Sequence, residues 1–144
     1  MTAERSHRLP TLAPLALLGL ALVGITAPRA DATLPTLHLS ALVYDQHLAS
    51  DGTFSSRERL TQGTARVGED FSRCTPSSKT TVHCTGSYTL SGGTFSIAGT
   101  ISNSSDTNRL EVTGGTGRYR GARGSVLTEY NRSGTRAKET ITFK

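Results

Sequence analysis

From residue 36 to the C-terminus the chain alternates apolar and polar side chains in short runs broken by turn residues, and no stretch reads as a helix. Residues 37–44 form a first expected strand, ended by a polar segment with Asp51-Gly52 as its turn signal. Residues 54–61 form a second, with Arg57-Glu58-Arg59 giving it a charged end expected to be exposed. A third, residues 65–73, is interrupted at Gly68, where a bulge is expected, and the chain then turns through Pro76-Ser77-Ser78. In residues 81–90 the even positions Val82, Cys84, Gly86, Tyr88 and Leu90 share one face. After the hairpin at Ser91-Gly92-Gly93, residues 94–102 place Phe95, Ile97, Gly99 and Ile101 on one side. Residues 109–113 and 123–130 follow, and the last run, 136–143, sets Ala137, Glu139, Ile141 and Phe143 on one face.

Eight short strands at regular spacing predict an all-β domain, either a closed barrel or a small sandwich. Eight is a favourable number for closure. A barrel of that size has no free edges, and its interior is filled by side chains or just wide enough for one small ligand.

Between the sixth and seventh runs lies LEVTGGTGRYRGARG, residues 110–124. Its glycines superficially resemble a dinucleotide fingerprint, but that motif must open a helix within a βαβ unit, with an acidic residue about 20 positions on. Here the glycines lead into another strand-like run close to the end of the chain, so they are read as a strand corner.

Composition adds a compartment. Arg5, His7 and Arg8 precede an apolar run over residues 12–25 that is short for a membrane span, and Ala30-Asp31-Ala32 supplies a small-x-small cleavage pattern. Residues 1–32 are therefore expected to be a signal peptide, leaving a single secreted domain over residues 33–144 with no membrane segment. That domain keeps 13 Lys+Arg against 9 Asp+Glu. Basic residues gather near its end, at Arg118, Arg120, Arg123, Arg132, Arg136, Lys138 and Lys144, which would suit a polyanion. Along alternating strands these side chains do not share one face, and export takes the chain away from most nucleic acid, so nucleic acid is not the expected partner. Cys74 and Cys84, the only cysteines, read as a disulfide in an exported chain rather than as a metal site. No Ser-His-Asp order and no HExxH motif offers hydrolase chemistry.

VTGGTGRYRGARG, preceded by CTGSYTLSGGTFSIAGTI and by the VGED and FSRC segments, resembles the bacterial branch of the allene oxide cyclase and dirigent-like barrel family. The resemblance covers about residues 37–143 and is strongest over 84–124. It implies an eight-stranded antiparallel closed barrel of calycin-like form whose lumen holds a lipophilic, oxygenated small molecule. It also implies a homo-oligomer, trimer or dimer, that steers cyclisation or radical coupling by shape, with neither a metal nor an organic cofactor. In the cyclase branch the first strand ends in Tyr-Glu-x-Asn, with the Glu catalytic and the Asn holding a water. This chain has Tyr44-Asp45-Gln46-His47, so Asp45 falls on the acidic position and His47 on the amide position, both by different residues. The Ser-Pro that follows in the cyclases is replaced around Ser50-Asp51-Gly52, which argues against allene oxide cyclisation itself. Asp45 is the catalytic candidate, and Tyr44, His47 and Tyr88 are the candidate ligand contacts.

Two functional readings of the lumen follow, beside the alternative of a polyanion-binding protein that acts through its surface. One is a cofactor-independent cyclase or dirigent-like protein that fixes the stereochemistry of a ring closure or coupling. The other is a noncatalytic secreted barrel that carries a small apolar ligand. The lumen discriminates between them. A carboxyl group facing an apolar lumen has a raised pKa and can act as a general acid, and an acid beside the ligand favours the first reading.

Overall fold

A computed structural model describes residues 33–144; the segment read as a signal peptide lies outside the described residues. Eight strands follow one another: β1 (Leu37–Leu48), β2 (Phe54–Gln62), β3 (Ala65–Pro76), β4 (Thr81–Leu90), β5 (Gly93–Ser102), β6 (Thr107–Gly115), β7 (Gly124–Tyr130) and β8 (Arg136–Phe143). Each pairs antiparallel with the next, and β8 pairs back onto β1, from Leu37 opposite Ile141 to Leu42 opposite Arg136. The sheet is a closed barrel, so every strand has two partners and no edge is left to aggregate.

Alternation along each strand decides what enters the barrel. On β4 it is Cys84, Tyr88 and Leu90, on β5 Phe95 and Ile97, and on β8 Ala137, Glu139, Ile141 and Phe143, as the two-residue period predicts. The period breaks at two places that matter. On β3, Leu60 lies opposite Gly68 and Thr61 opposite Arg66, so Val67 is the extra residue of a bulge beside Gly68. On β1 the register shifts between Val43 and Asp45, and this second bulge re-aims the end of the strand.

The expected corner at the glycine stretch contains a single 3-10 turn, Gly117–Tyr119, where only strands and turns were read. Three residues are too few for helical periodicity to show. Gly117 opens this turn at φ +58°, and a Cβ there would run into the carbonyl oxygen of Gly92 in the neighbouring hairpin, so only glycine fits. The turn drops Tyr119 into the end of the barrel. There it meets Phe95 edge-on, with centroids 5.3 Å apart, and stacks on Phe143 at 5.6 Å. Phe95 in turn stacks on Tyr88 at 4.7 Å. With Leu60, Leu90, Val126 and Ile141 these rings fill one end of the barrel with apolar side chains. The other end, ringed by the turns that join β1 to β2, β3 to β4, β5 to β6 and β7 to β8, holds the main cavity.

Candidate functional site

Between the aromatic plug and the mouth, three acidic side chains point inward from three strands. Glu58 comes from β2, Asp70 from β3 and Glu139 from β8, and each is at most 6% exposed. Strand pairing explains part of the grouping. Glu58 lies opposite Asp70 across β2 and β3, Asp70 lies opposite Tyr88 across β3 and β4, and Thr128 lies opposite Glu139. Closure of the barrel does the rest, bringing β8 and β7 across the lumen. The Tyr88 hydroxyl donates to Glu139 Oε1 over 2.8 Å, and the Tyr130 hydroxyl donates to Glu58 Oε1 over 3.2 Å. Each of these bonds joins strands that are not neighbours in the sheet.

The remaining oxygens are orphans. Glu58 Oε2, Asp70 Oδ1 and Glu139 Oε2 are buried without a hydrogen-bond partner. One carboxylate oxygen from each residue lies within 4.8 Å of those of the other two. Buried polar groups are ordinarily satisfied, so three orphaned oxygens in one layer mark a place where a ligand, water or proton is due. To a metal ion the layer would offer three carboxylates, a hard all-oxygen donor set with no imidazole or thiolate among them.

Burial raises all three carboxyl pKa values. Asp70 is pushed up to about 9, first by burial and then by the charges of Glu58 and Glu139. Glu139 is pushed up to about 7, mainly by burial, with the hydrogen bonds from Tyr88 and Thr128 opposing and the Glu58 charge adding. Glu58 is raised by burial, against the hydrogen bonds of Tyr130 and Ser56. The two tyrosine hydroxyls are raised as well, chiefly by burial, and stay protonated donors. Near neutral pH the layer therefore holds at least one proton among its carboxyl groups, bound as a unit.

Above the layer lies a cavity of about 470 Å³. Glu58 and Tyr130 form its acidic base, Phe54, Pro76, Val82 and Ile101 its apolar walls, and Ser, Asn and Gln side chains from the turns its mouth. This volume falls in the range of small-molecule sites. A smaller space of about 40 Å³, lined by Asp70, Tyr88, Thr128 and Glu139 among others, continues inward. It is large enough for roughly two or three waters.

No protein-family model and no curated protein matches the sequence. Solved structures do match. A pyocyanin demethylase superposes with a TM-score of 0.66 at 16% identity, over 76% of this chain and 100% of that one. A nonspecific heme-binding cyclase that catalyses a cycloaddition in neoabyssomicin biosynthesis superposes at 0.64 and 14% identity, over 76% of this chain and 63% of that one. A pterocarpan synthase dirigent protein superposes at 0.60 and 18% identity, over 74% and 92%. The fold is that of the dirigent-like barrels. At these identities the likeness carries the architecture, and the chemistry must come from the residues of this chain.

In this barrel the residues singled out from the sequence are dispersed. Asp45 lies on the outer face, exposed, with its carboxylate 3.8 Å from Arg57. The bulge after Val43 is the reason, because it turns the next inward position over to Gln46, which lines the cavity. Tyr44 is 45% exposed beneath the guanidinium of Arg59, and His47 is exposed. Tyr88 is buried in the acidic layer. Cys74 and Cys84 are joined in a disulfide between facing positions of β3 and β4, with Cys74 on the cavity wall.

Reading the 57–59 segment as an exposed charged end needs correcting. Arg57 and Arg59 point outward over Phe71 and Tyr44, and the same alternation sends Glu58 inward, where it is 1% exposed. Glu139 carried a visible signal, an acid on the apolar face of Ala137, Ile141 and Phe143. Asp70 carried none, because its direction depends on the bulge beside Gly68.

Proposed function

We propose that this barrel takes a lipophilic, oxygenated small molecule into its lumen and steers its cyclisation or coupling, with the buried carboxyl layer as proton donor and acceptor. One observation carries this reading: a cluster of buried acids with raised pKa values forms the base of a cavity of small-molecule size. Glu58 is the member that faces the main cavity, so it is the group in contact with the ligand. Asp70 and Glu139 lie behind it and hold the proton that the layer lends, with Tyr88 and Tyr130 fixing the two glutamates by one oxygen each. A proton passed to a ligand oxygen as a bond rearranges, and returned after closure, leaves the carboxyl layer unchanged, as an isomerisation or ring closure requires. The apolar walls hold the ligand body in one orientation while this happens, which is how a lumen selects one product face. The disulfide supports function in an oxidising compartment, as expected of an exported protein.

The test is nondenaturing mass spectrometry of the protein purified from its native host. A retained lipophilic molecule of a few hundred daltons is the expected result. An unliganded protein that also fails to bind its host's lipophilic extract would refute the reading. A ligand recovered chemically unchanged, with product stereochemistry insensitive to Glu58→Gln, would reduce the barrel to a carrier.

A further inference from the structure

Neither lumen space is lined by a Lys, Arg or His side chain. The protein as a whole is basic, with 16 Lys+Arg against 11 Asp+Glu, yet the titratable groups lining its lumen are three carboxyls and two tyrosines. Buried charges are ordinarily paired with an opposite charge, and here the lining supplies none. Glu58 Oε2, in a side chain 1% exposed, has no partner at the boundary of the cavity, and Asp70 Oδ1 and Glu139 Oε2 have none behind it.

We infer that the ligand enters with a positively charged end leading: it is a lipophilic amine whose protonated nitrogen docks against Glu58 and toward Asp70 and Glu139. This rests on the reading of the lumen as a small-molecule site and names the class of molecule it takes. Three geometric features favour it. The orphaned oxygens are acceptors that need donors, and an ammonium group brings up to three N–H donors together with the missing counter-charge. The inner space of about 40 Å³ admits a head group of two or three heavy atoms and not a ring, so the body stays in the main cavity among Phe54, Pro76, Val82 and Ile101. Phe54 and Tyr130 add aromatic surface, to which a cation is attracted. A carboxylate ligand would bring a further acid to a layer that already holds three and would meet no cation, so it is disfavoured.

The test is isothermal titration calorimetry of the purified barrel at pH 7.5 with a matched trio: 2-naphthylmethylamine, 2-naphthylmethanol and 2-naphthoate. The amine is expected to bind at least about tenfold more tightly than the alcohol, and the naphthoate to give no binding heat. Glu58→Gln and Asp70→Asn, each checked for a cooperative melt, are expected to lower amine affinity at least about tenfold and leave the alcohol within about threefold. Asp45→Asn, on the outer face, is the charge control and should leave all three unchanged. An alcohol that binds as well as the amine, or an amine indifferent to both lumen substitutions, overturns the inference while leaving the lumen a small-molecule site. Mg2+ or Ca2+ that binds the empty lumen and displaces the amine also overturns it, by giving the cluster to a metal. Failure of all three probes overturns it too, and the proposed function is then decided by the retained-ligand measurement alone.

Discussion

Glu139→Gln should make the barrel more stable above neutral pH. Glu139 is 3% exposed, and its carboxyl is raised from 4.5 to about 7, mainly by burial. A raised carboxyl pKa means that the folded state holds the proton more tightly than the unfolded chain. Stability is therefore intact below about pH 4.5, falls as pH rises through the window up to about 7, and stays reduced above it. A rise from 4.5 to about 7 amounts to about 3 kcal/mol at pH 8. Glutamine removes that loss. Its carbonyl oxygen still accepts the Tyr88 hydroxyl, while its NH2 group replaces an oxygen that has no partner and costs about 1 kcal/mol as a buried unsatisfied donor. The net gain is about 2 kcal/mol at pH 8, or roughly 8 °C in Tm for a domain of this size. At pH 5 the charge term is largely gone and the variant should be slightly less stable than the parent. Urea denaturation and thermal melts at pH 5 and pH 8 measure both ends. A parent whose stability is flat or rising from pH 5 to pH 8, or a variant weaker than the parent at both, would show that this carboxyl is not held against its charge.

Asp45→Asn should change stability by no more than about 0.5 kcal/mol in urea denaturation, because the ion pair with Arg57 is exposed on both sides. The double substitution Cys74→Ser and Cys84→Ser should cost about 2–3 kcal/mol, the entropy returned to the unfolded chain when a ten-residue loop is opened, read as a lower urea midpoint. Tyr119→Ala should cost about 3–5 kcal/mol, since the ring fills the closed end between Phe95 and Phe143, and a calorimetric melt would register it.

Most of the architecture was legible because a strand's period of two is local. The inward set of β4, β5 and β8 is written in consecutive residues, and the glycines between β6 and β7 mark their corner without reference to any other part of the chain. The resemblance carried by those glycines pointed to the barrel that the superpositions show. The cysteine pair was equally readable, since two thiols in a chain expected to be exported have few other uses.

The site was not legible, for a physical reason. Bulges at Val43 and beside Gly68 each add one residue to one strand, and a shift of one reverses every later side chain between lumen and solvent. That reversal put Asp45 outside and Gln46 inside, so the acid expected from the sequence and the acids that line the cavity belong to different strands. The sequence by itself determined an all-β chain of eight strands, its corners and its disulfide. Only closure of the barrel decided that Glu58, Asp70 and Glu139, up to 81 residues apart, would share one buried layer, because β8 comes within one strand of β2 only once it has paired with β1.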